Sequence, residues 1–377
     1  MRKKVGIITY HFALNYGAVL QCFALKEYLV AQGYDVEVLN YVTVNQRKNN
    51  EVLKENNSVK KVIINFLLLP FKRKNKIKYN KFIIFINNKM NLSKLLSTKD
   101  ELIEYIRNKK FDFIISGSDQ VWNPKIKDFD EAFFLPWNLE ASKLAYAASI
   151  GNAAKDDLQK FCNAINDFNY ISIREESSIA VLKNFTNKEL ISVCDPVMLL
   201  SKKEWKSKFQ QNNMVKEPYV LCYFLHKECF KYEYRIVKQI SKILKLKIII
   251  INARYSKYSL NKNVLFSVGP DDFLNLFSNA SFVCTDSFHG IVFSMIFQKR
   301  FIAFAEKENS LDRRREEILK RANLTNRLMY CNKQYDLNEI IESNSILDSK
   351  FEKYINSSKK FLGEMNERRV KIKNIKK

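Results

Sequence analysis

A histidine stands at the turn between two apolar runs in the stretch FVCTDSFHGIVFSMIF. The first run stops at Asp286-Ser287 and the second resumes at Gly290, which predicts a strand, a turn and a helix. His289 would then lie at a helix N-terminus, where the terminal N–H groups and the helix dipole favour an anion such as phosphate. An imidazole at that point can donate a proton or a hydrogen bond to a bound oxyanion. We therefore predict a catalytic role for His289, and the structural alternative is a packed histidine.

Three basic residues are candidates for binding the same anion. Arg174 directly follows a predicted strand, and its planar guanidinium can grip a phosphate or a carboxylate with two hydrogen bonds. A salt bridge to Glu175 or Glu176 is the alternative for this arginine. Lys299 and Arg300 end the predicted helix that follows the histidine and add positive charge. As cations at a helix C-terminus they are also favourable partners of the helix dipole.

A loop of small and polar side chains follows the buried run in FDFIISGSDQVWNP. Ser118, Asp119 and Gln120 place a hydroxyl, a carboxylate and an amide directly after the predicted strand. We predict a ligand site at this loop. The alternative is local, because Ser118 or Asp119 can instead cap the turn that follows.

The first strand-to-helix turn, HFALNYGAV, is the fourth candidate loop. Gly17 lets a ligand approach the backbone closely, and Asn15 and Tyr16 stand beside it as polar contacts. A simple turn is the alternative. No G-x-G-x-x-G motif occurs in this turn, which argues against a dinucleotide site.

All four loops follow predicted strands of an α/β fold. Residues 5–9 form a β-branched run, residues 17–31 carry apolar side chains at helical spacing, and VEVLNY is the next strand. This is a β-α-β unit, and the alternation restarts near residue 218, which predicts a second Rossmann-like domain. The boundary is expected in the polar stretch 196–217. Ligands bind such folds at the carboxyl ends of the parallel strands, which is where the candidate loops lie.

The composition narrows the choice of partner and compartment. The 377 residues carry 64 Lys or Arg against 40 Asp or Glu, a formal charge of +24. This charge fits a nucleic acid, an acidic membrane surface or a phosphorylated substrate, and a lysine-rich composition bias is the alternative. The seven cysteines form no C-x-x-C pair, which indicates neither a zinc site nor a disulfide framework and fits a reducing cytosol. We expect neither a signal peptide nor a membrane span, since no apolar run reaches about 18 residues.

Together, these motifs resemble the polysaccharide pyruvyl transferase family. The resemblance is carried by SGSDQVWNP, AYAASIG, SIREESS, CDPVMLL and VGPDDFLNLFSNASFVCTDSFHGIVFSMIF, in this order. It implies an α/β fold with two facing Rossmann-like domains in a GT-B-like arrangement and a C-terminal helix that packs back on the first domain. The expected domains are 1–200 on the acceptor side, 201–345 on the phosphoenolpyruvate side, and a basic C-terminal helix at 346–377.

The same resemblance implies an activity and a set of site residues. The reaction would transfer pyruvate from phosphoenolpyruvate to a sugar of a cell-surface polysaccharide such as a capsule or exopolysaccharide, or of its lipid-linked precursor, and would leave a cyclic ketal. His289 would act as general acid, and Asp119 would orient or deprotonate the sugar hydroxyl. No cofactor and no metal is expected. The phosphoenolpyruvate-binding residues would be Arg174, Ser287, His289, Gly290, Lys299 and Arg300. The acceptor-binding residues would be Asn15, Tyr16, Gly17, Ser118, Asp119 and Gln120.

Two other functions are weighed against this one. A GT-B glycosyltransferase that uses a nucleotide sugar would need a diphosphate site and an acidic ribose contact after a strand of the second domain, and no strong candidate is found. A basic nucleic-acid-binding protein would need positive charge interleaved with exposed aromatic residues in a known module, and none is recognised. Nucleic acid is therefore not an expected partner, and the sequence does not indicate an oligomeric state.

The expected location is the cytoplasm, with peripheral binding to an anionic membrane surface at the inner face of the cell membrane. Two basic stretches support it: KRKNKIKYNK at 72–81, directly after the apolar VIINFLLLPF, and the final twenty residues of the chain. Each basic residue near an anionic bilayer contributes about 1 kcal/mol. The alternative is that both stretches are solvated helix faces.

Overall fold

The computed structural model describes most of the chain. The described residues are 2–50, 72–212, 214–226, 229–251, 263–307, 313–331, 333–342 and 349–365. They form two compact units, which lie within Met1–Glu51, Ile86–Leu200 and Glu352–Lys377 for the first, and within Val52–Phe85 and Ser201–Phe351 for the second. The domain bounds drawn from the sequence stay a prediction, and the described residues 72–85 group with the second unit.

The first unit is built on a parallel six-stranded sheet. Its strands are β1 (Lys4–Ile8), β2 (Asp35–Val38), β3 (Phe113–Ser116), β4 (Ser142–Ala148), β5 (Tyr170–Ile173) and β6 (Leu190–Ser192). They are ordered β2-β1-β3-β4-β5-β6, and every neighbouring pair is parallel. The chain moves outward in one direction from β1 to β2 and in the other from β3 to β6. The topological switch point of this sheet therefore lies between β1 and β3.

The second unit is built on another parallel six-stranded sheet. Its strands are β7 (Tyr219–Tyr223), β8 (Lys247–Ile251), β9 (Val264–Leu265), β10 (Phe282–Thr285), β11 (Arg300–Ala305) and β12 (Leu328–Tyr330). The order is β12-β11-β10-β7-β8-β9, again with parallel neighbours throughout. The switch point of this sheet lies between β7 and β10.

Helices connect the strands of both sheets. Among the described residues they are α1 (Tyr16–Ala31), α2 (Val44–Asn50), α3 (Lys72–Lys89), α4 (Lys99–Lys109), α5 (Lys155–Leu158), α6 (Cys162–Asp167), α7 (Ser177–Leu182), α8 (Lys202–Lys208), α9 (Phe230–Leu244), α10 (Pro270–Asn279), α11 (Phe288–Ile296), α12 (Arg314–Arg321), α13 (Leu337–Glu342) and α14 (Ser349–Gly363). No helix among the described residues is both long enough and apolar enough to span a bilayer.

The central strands β3, β7 and β10 are buried along their whole length. All four residues of β3 are buried, as expected for a strand in the middle of a parallel sheet. The loop after β3 is anchored from below by stacked aromatic rings, since the ring centroid of Trp122 lies 5.2 Å from that of Phe134, and Phe134 lies 4.3 Å from Phe161. These aromatic contacts fix the candidate loop, residues 117–120, at the carboxyl end of β3.

The C-terminal helix α14 packs on the first unit, as the resemblance implied. The backbone N–H of Cys194 donates to Ser358 Oγ at 2.8 Å, and the hydroxyl of Tyr28 donates to the carbonyl of Lys359 at 3.3 Å. Phe361 lies against Tyr146, with ring centroids 6.2 Å apart. The predicted return of the helix to the first domain is confirmed, and residues 366–377 of the predicted helix lie outside the described residues.

Candidate functional site

Three of the four candidate loops lie at the switch points of the two sheets, and the fourth, which carries Arg174, follows β5. In the first sheet, the loops after β1 and β3 carry Asn15 and Asp119, respectively. In the second sheet, the loops after β7 and β10 carry His226 and His289. Ligands of doubly wound sheets bind in the crevice at such points, outside the carboxyl ends of the strands. The two groups belong to different compact units.

The strand, turn and helix predicted around His289 are confirmed. Strand β10 ends at Thr285, and α11 begins at Phe288 with Ser287 as its N-cap, whose side chain accepts from the N–H of Gly290 at 3.4 Å. His289 lies in the first turn of the helix and is 8% exposed. Ser287, His289 and Gly290 are thus brought together at a helix N-terminus, the backbone arrangement that favours a bound anion.

Gly290 has a packing role in this turn. A Cβ at this position would lie 2.2 Å from Thr285 Oγ1 and 2.9 Å from Thr285 Cβ, so no larger residue fits without moving the strand end. The Thr285 hydroxyl is itself engaged, because it donates to the carbonyl of Tyr223 at 2.7 Å. The glycine therefore allows the helix to begin directly against the switch point.

Asp286 ties the two sides of this switch point together, and the sequence analysis assigned it no role. Its two carboxylate oxygens accept from the backbone N–H groups of Leu225 and His226, each at 2.7 Å. Its own carbonyl accepts from Arg315 Nη1 at 2.6 Å. Burial raises the pKa of the Asp286 carboxyl, and the two N–H donors and the Arg315 guanidinium oppose that rise. The side chain of Asp286 thus connects the loop after β7 to the start of α11.

Lys299 and Arg300 are not brought together with His289. Arg300 begins β11 and pairs in register with Phe282, the first residue of β10, whereas His289 follows the last residue of that strand. The two ends of β10 are roughly 10 Å apart at about 3.3 Å per residue. Both basic residues therefore lie at the amino edge of the sheet. Arg315, which the sequence analysis did not single out, is a basic side chain at the carboxyl edge, where it contacts the carbonyl of Asp286.

Lys299 instead belongs to a basic group at that amino edge. Burial, followed by the nearby charges of Lys202 and Lys206, lowers the pKa of Lys299 to about 8. Lys202 Nζ donates to Gln298 Oε1 at 2.9 Å, which holds α8 close to the end of α11. The positive charges of Lys202, Lys206 and Lys299 are thus brought close together by the packing of α8 against the end of α11.

At the first switch point, Gln21 joins three elements. Its side chain donates to Thr9 Oγ1 at 2.9 Å and accepts from the N–H of Ser118 at 3.1 Å. Thr9 Oγ1 in turn donates to the carbonyl of Ser118 at 2.9 Å, and Ser118 Oγ donates to the carbonyl of Ala147 at 2.9 Å. The buried loop after β3 is thus fixed to the end of β1 and to α1. Ser118 acts within this network and has no exposed surface.

The backbone at Asp119 is held in an uncommon conformation. Asp119 has φ of +67°, and its carbonyl accepts from the N–H groups of Val121 at 2.8 Å and Ser149 at 3.0 Å. Gly117, with φ of +115°, is required, because a Cβ there would lie 2.3 Å from the carbonyl oxygen of Tyr146. Left-handed conformations of non-glycine residues persist where the surroundings enforce them, and they concentrate at functional sites.

Arg174 lies inside a cluster of three carboxylates next to this loop. Its Nε donates to Glu175 Oε1 and its Nη1 donates to Asp195 Oδ2, both at 2.8 Å. Its Nη2 lies 3.6 Å from Asp119 Oδ1. Burial opposes the charge of Arg174, but the three carboxylates together outweigh it and raise the pKa of the guanidinium. The salt bridge to Glu175 that the sequence left open is present, and direct contact of Arg174 with a ligand stays a prediction.

The other predicted acceptor residues divide by exposure. Asn15 is exposed and caps α1, with its Oδ1 accepting from the N–H of Gly17 at 3.0 Å, so the local alternative for this turn is present. Tyr16 and Gly17 are buried in the first turn of the helix. Gln120 is half-buried, and its Oε1 accepts from Asn123 Nδ2 at 2.8 Å.

Two residues at the first switch point escaped the sequence analysis. The Tyr10 hydroxyl is buried and has no hydrogen-bond partner among the described residues, and burial, followed by the charges of Asp119, Asp128 and Asp130, raises its pKa. His11 is also buried, and burial lowers its pKa. Both follow β1 directly, and the rule that functional side chains follow parallel strands would have selected them.

Comparisons with known proteins agree with the motifs. A family model described as polysaccharide pyruvyl transferase matches residues 15–308. No curated protein matches the sequence significantly. Among solved structures, the chain is similar to UDP-GlcNAc 2-epimerase from Methanocaldococcus jannaschii in complex with UDP-GlcNAc and UDP, with TM-score 0.54 and 16% identity over 96% of this chain and 98% of that one. It is also similar to S. aureus MnaA in a co-structure with UDP, with TM-score 0.52 and 11% identity over 97% and 98% of the two chains. At such identities the likeness concerns the fold, and the predicted class of two Rossmann-like domains of the GT-B type is confirmed.

Proposed function

Because the chain belongs to the polysaccharide pyruvyl transferase family, we propose that it transfers pyruvate from phosphoenolpyruvate to a sugar. The acceptor is a sugar of a cell-surface polysaccharide or of its lipid-linked precursor, and the product carries a cyclic ketal. The family supports a transferase that acts on a polysaccharide. The donor, the ketal and the identity of the acceptor belong to the proposal.

One observation carries the proposal: His289 lies in the first turn of α11, at the switch point of the second sheet. Phosphoenolpyruvate carries a phosphate and a carboxylate, and a helix N-terminus is a favourable site for either group. A histidine at that position is also suited to proton transfer near neutral pH. Ser287 and Gly290 contribute the cap and the close approach of the backbone.

The proposed chemistry uses His289 as the acid and Asp119 as the base. His289 delivers a proton to the methylene carbon of phosphoenolpyruvate, and a sugar hydroxyl attacks the adjacent carbon, losing its proton to Asp119. A second hydroxyl then displaces phosphate from the same carbon, and its proton leaves with the phosphate. The C=C double bond of phosphoenolpyruvate and its C–O bond to phosphate are thus replaced by a C–C single bond, a new C–H bond and two C–O bonds to the sugar, so the reaction needs no oxidant or reductant.

The charge at the first switch point supports placing the sugar there. Asp119, Glu175 and Asp195 surround the single guanidinium of Arg174, a formal balance of minus two. An acidic group of this kind repels a phosphate ester and suits the hydroxyls of a neutral sugar, because carboxylates accept hydrogen bonds from them. We therefore propose Asn15, Asp119 and Gln120, which retain accessible surface, as acceptor contacts.

We also propose that the protein works in the cytoplasm and binds the inner face of the membrane peripherally. The basic stretch 72–81 begins α3, and Arg73, Lys74 and Lys76 are exposed. Lys81 is paired with Asp272 at 2.6 Å and contributes less to such binding. The apolar stretch 62–71 and residues 366–377 lie outside the described residues.

The test is phosphate release from phosphoenolpyruvate in the presence of a panel of lipid-linked and nucleotide-linked sugars. Release that depends on one acceptor, with a product heavier than that acceptor by one pyruvate ketal, supports the proposal. The same panel is assayed for UDP release without phosphoenolpyruvate, because the similar structures contain UDP or UDP-GlcNAc. UDP release without phosphoenolpyruvate turnover would replace the proposal by nucleotide-sugar chemistry.

A further inference from the structure

We propose, on the basis of the function above, that Arg174 is a positioning residue for Asp119. The guanidinium holds the carboxylate that receives the sugar proton, and it does not bind phosphoenolpyruvate. This differs from the assignment that the family resemblance implied for this arginine. The role follows from what Arg174 contacts and from which of its neighbours can reach a ligand.

The guanidinium is already engaged on two of its edges. Nε and Nη1 each make a hydrogen bond of 2.8 Å, to Glu175 and Asp195. The side chain of Arg174 is only 2% exposed. A phosphate brought to this guanidinium would be added to a group that already holds an excess of negative charge, and like charges in a buried site repel strongly.

The partners of Arg174 are themselves fixed. Asp195 is fully buried, and its other oxygen accepts from the N–H of Val197 at 3.1 Å. Glu175 is the next residue in the chain, and its side chain is 5% exposed. The guanidinium therefore cannot swing toward a ligand without breaking a buried ion pair, which is strongly destabilising.

Asp119 is the one carboxylate of the cluster with access to a ligand. Its side chain is 14% exposed, compared with 0% for Asp195 and 5% for Glu175. Its backbone is held in the left-handed region by hydrogen bonds from Val121 and Ser149. The side chain of Asp119 can still rotate, and Arg174 Nη2 lies 3.6 Å from its Oδ1. Backbone and side chain are thus both restrained, as a proton acceptor requires.

The kinetic test is a double-mutant cycle with Arg174→Lys and Asp119→Asn. A displaced acceptor carboxylate costs on the order of 10–100-fold in turnover, and Arg174→Lys is expected to show that loss with the phosphoenolpyruvate dissociation constant unchanged within about twofold. Because both residues act through one group, the double variant should be no slower than Asp119→Asn alone. Multiplying losses, or a weakening of phosphoenolpyruvate binding by about tenfold or more, would overturn the proposal.

Arg327→Lys is the matched control, since Arg327 is also a fully buried arginine, with its Nη1 donating to the carbonyl of Ile340 at 2.6 Å. It is expected to lower the melting temperature and to combine independently with Asp119→Asn. Should Arg174→Lys not fold, Asp195→Asn takes its place, because it loosens the guanidinium and keeps the arginine. The same coupling to Asp119→Asn is then expected, and independent losses would again contradict the role.

A crystallographic arm separates this inference from the proposed function. Crystal structures of the wild type and of Arg174→Lys are compared at Asp119. A carboxylate that leaves its wild-type position in the variant supports positioning by Arg174, and an unmoved carboxylate overturns it. This outcome does not depend on turnover. A wild-type enzyme that releases no phosphate from phosphoenolpyruvate with any acceptor would contradict the proposed function alone.

Discussion

The two switch points are built on the same topology and carry different side chains. At the first, carboxylates and a buried arginine follow β3 and β5, and the nearby histidine, His11, has its ring nitrogens near the carbonyl of Thr9 and near Asn40 Oδ1 at 3.2 and 3.0 Å. At the second, His289 begins a helix. Burial lowers the pKa of His11, so this histidine is kept neutral as part of the packing. The difference shows that the residues placed at the carboxyl ends, and not the sheet, decide which ligand each unit can take.

The comparison gives His289 the largest expected effect. His289→Gln should lower turnover by about 10²–10⁴-fold, the usual contribution of a general acid, and leave the melting temperature close to that of the wild type. The measurement is phosphate release from phosphoenolpyruvate at saturating acceptor. Asn279→Gln is the control, since Asn279 is an exposed residue at the end of α10 in the same unit. A near-normal rate in His289→Gln would assign His289 to packing and remove the contrast with His11.

The first switch point can be loosened without touching the second. Gln21→Leu removes the partner of the Ser118 N–H and of Thr9 Oγ1, both buried, and should lower the free energy of unfolding by about 1–3 kcal/mol. The sugar KM should rise, whereas the phosphoenolpyruvate dissociation constant measured by calorimetry should not change. Gln32→Leu, at the exposed end of α1, is the control. Equal damage to both substrates would argue against separate sites.

The positive charge of the second unit has a smaller and salt-dependent consequence. Each basic residue near an anionic bilayer contributes about 1 kcal/mol, so replacing Lys72, Arg73, Lys74 and Lys76 by Gln should weaken binding to anionic vesicles in co-sedimentation. The protein should not bind neutral vesicles, and high salt should abolish its binding to anionic vesicles. A matched control replaces Lys231, Arg235, Lys238 and Lys242 of α9 by Gln. Equal losses for the two sets would mean that overall charge, and not the start of α3, carries the binding.

The smallest expected effect concerns the basic group at the amino edge of the second sheet. The pKa of Lys299 lies at about 8, below the usual value of 10.5. The unfolded chain therefore binds more protons between these values, and stability should rise with pH across this window relative to a variant without the group. Lys299→Met should remove that rise and be slightly more stable than the wild type at pH 7, with a modest effect because the side chain is partly solvated. The exposed Lys203→Met is the control, and melting temperatures across pH 7–10.5 decide.

Local pattern predicted much of this molecule. The β-α-β opening was readable because its apolar residues follow the periods of a strand and a helix, and the turn before His289 was readable because a polar pair interrupts two apolar runs. The observed helix α1 covers Tyr16–Ala31, one residue more than the sequence indicated. These features depend on neighbours in the chain, which is the information that a sequence displays directly.

The sequence analysis misplaced or missed residues where two positions close in the chain are far apart in space, or where two positions distant in the chain are in contact. Lys299 is ten residues from His289, but α11 runs back across the sheet and carries it to the opposite edge. Conversely, Asp195 is 21 residues from Arg174, and β5 and the 3-10 turn after β6 bring their side chains to 2.8 Å. When the strand order of a sheet brings two distant residues into contact, the hydrophobic periodicity of the sequence does not reveal that contact.

The return of α14 to the first unit has a consequence for synthesis. Domains commonly fold in order as the chain leaves the ribosome. The contacts of Ser358 and Phe361 with Cys194 and Tyr146 cannot form until more than 150 further residues have been made. Until α14 is synthesised, part of the core of the first unit therefore stays uncovered while the second unit leaves the ribosome. A chain that ends shortly after residue 345 would lack these contacts. It should leave part of the core of the first unit uncovered, which makes it a target for chaperones.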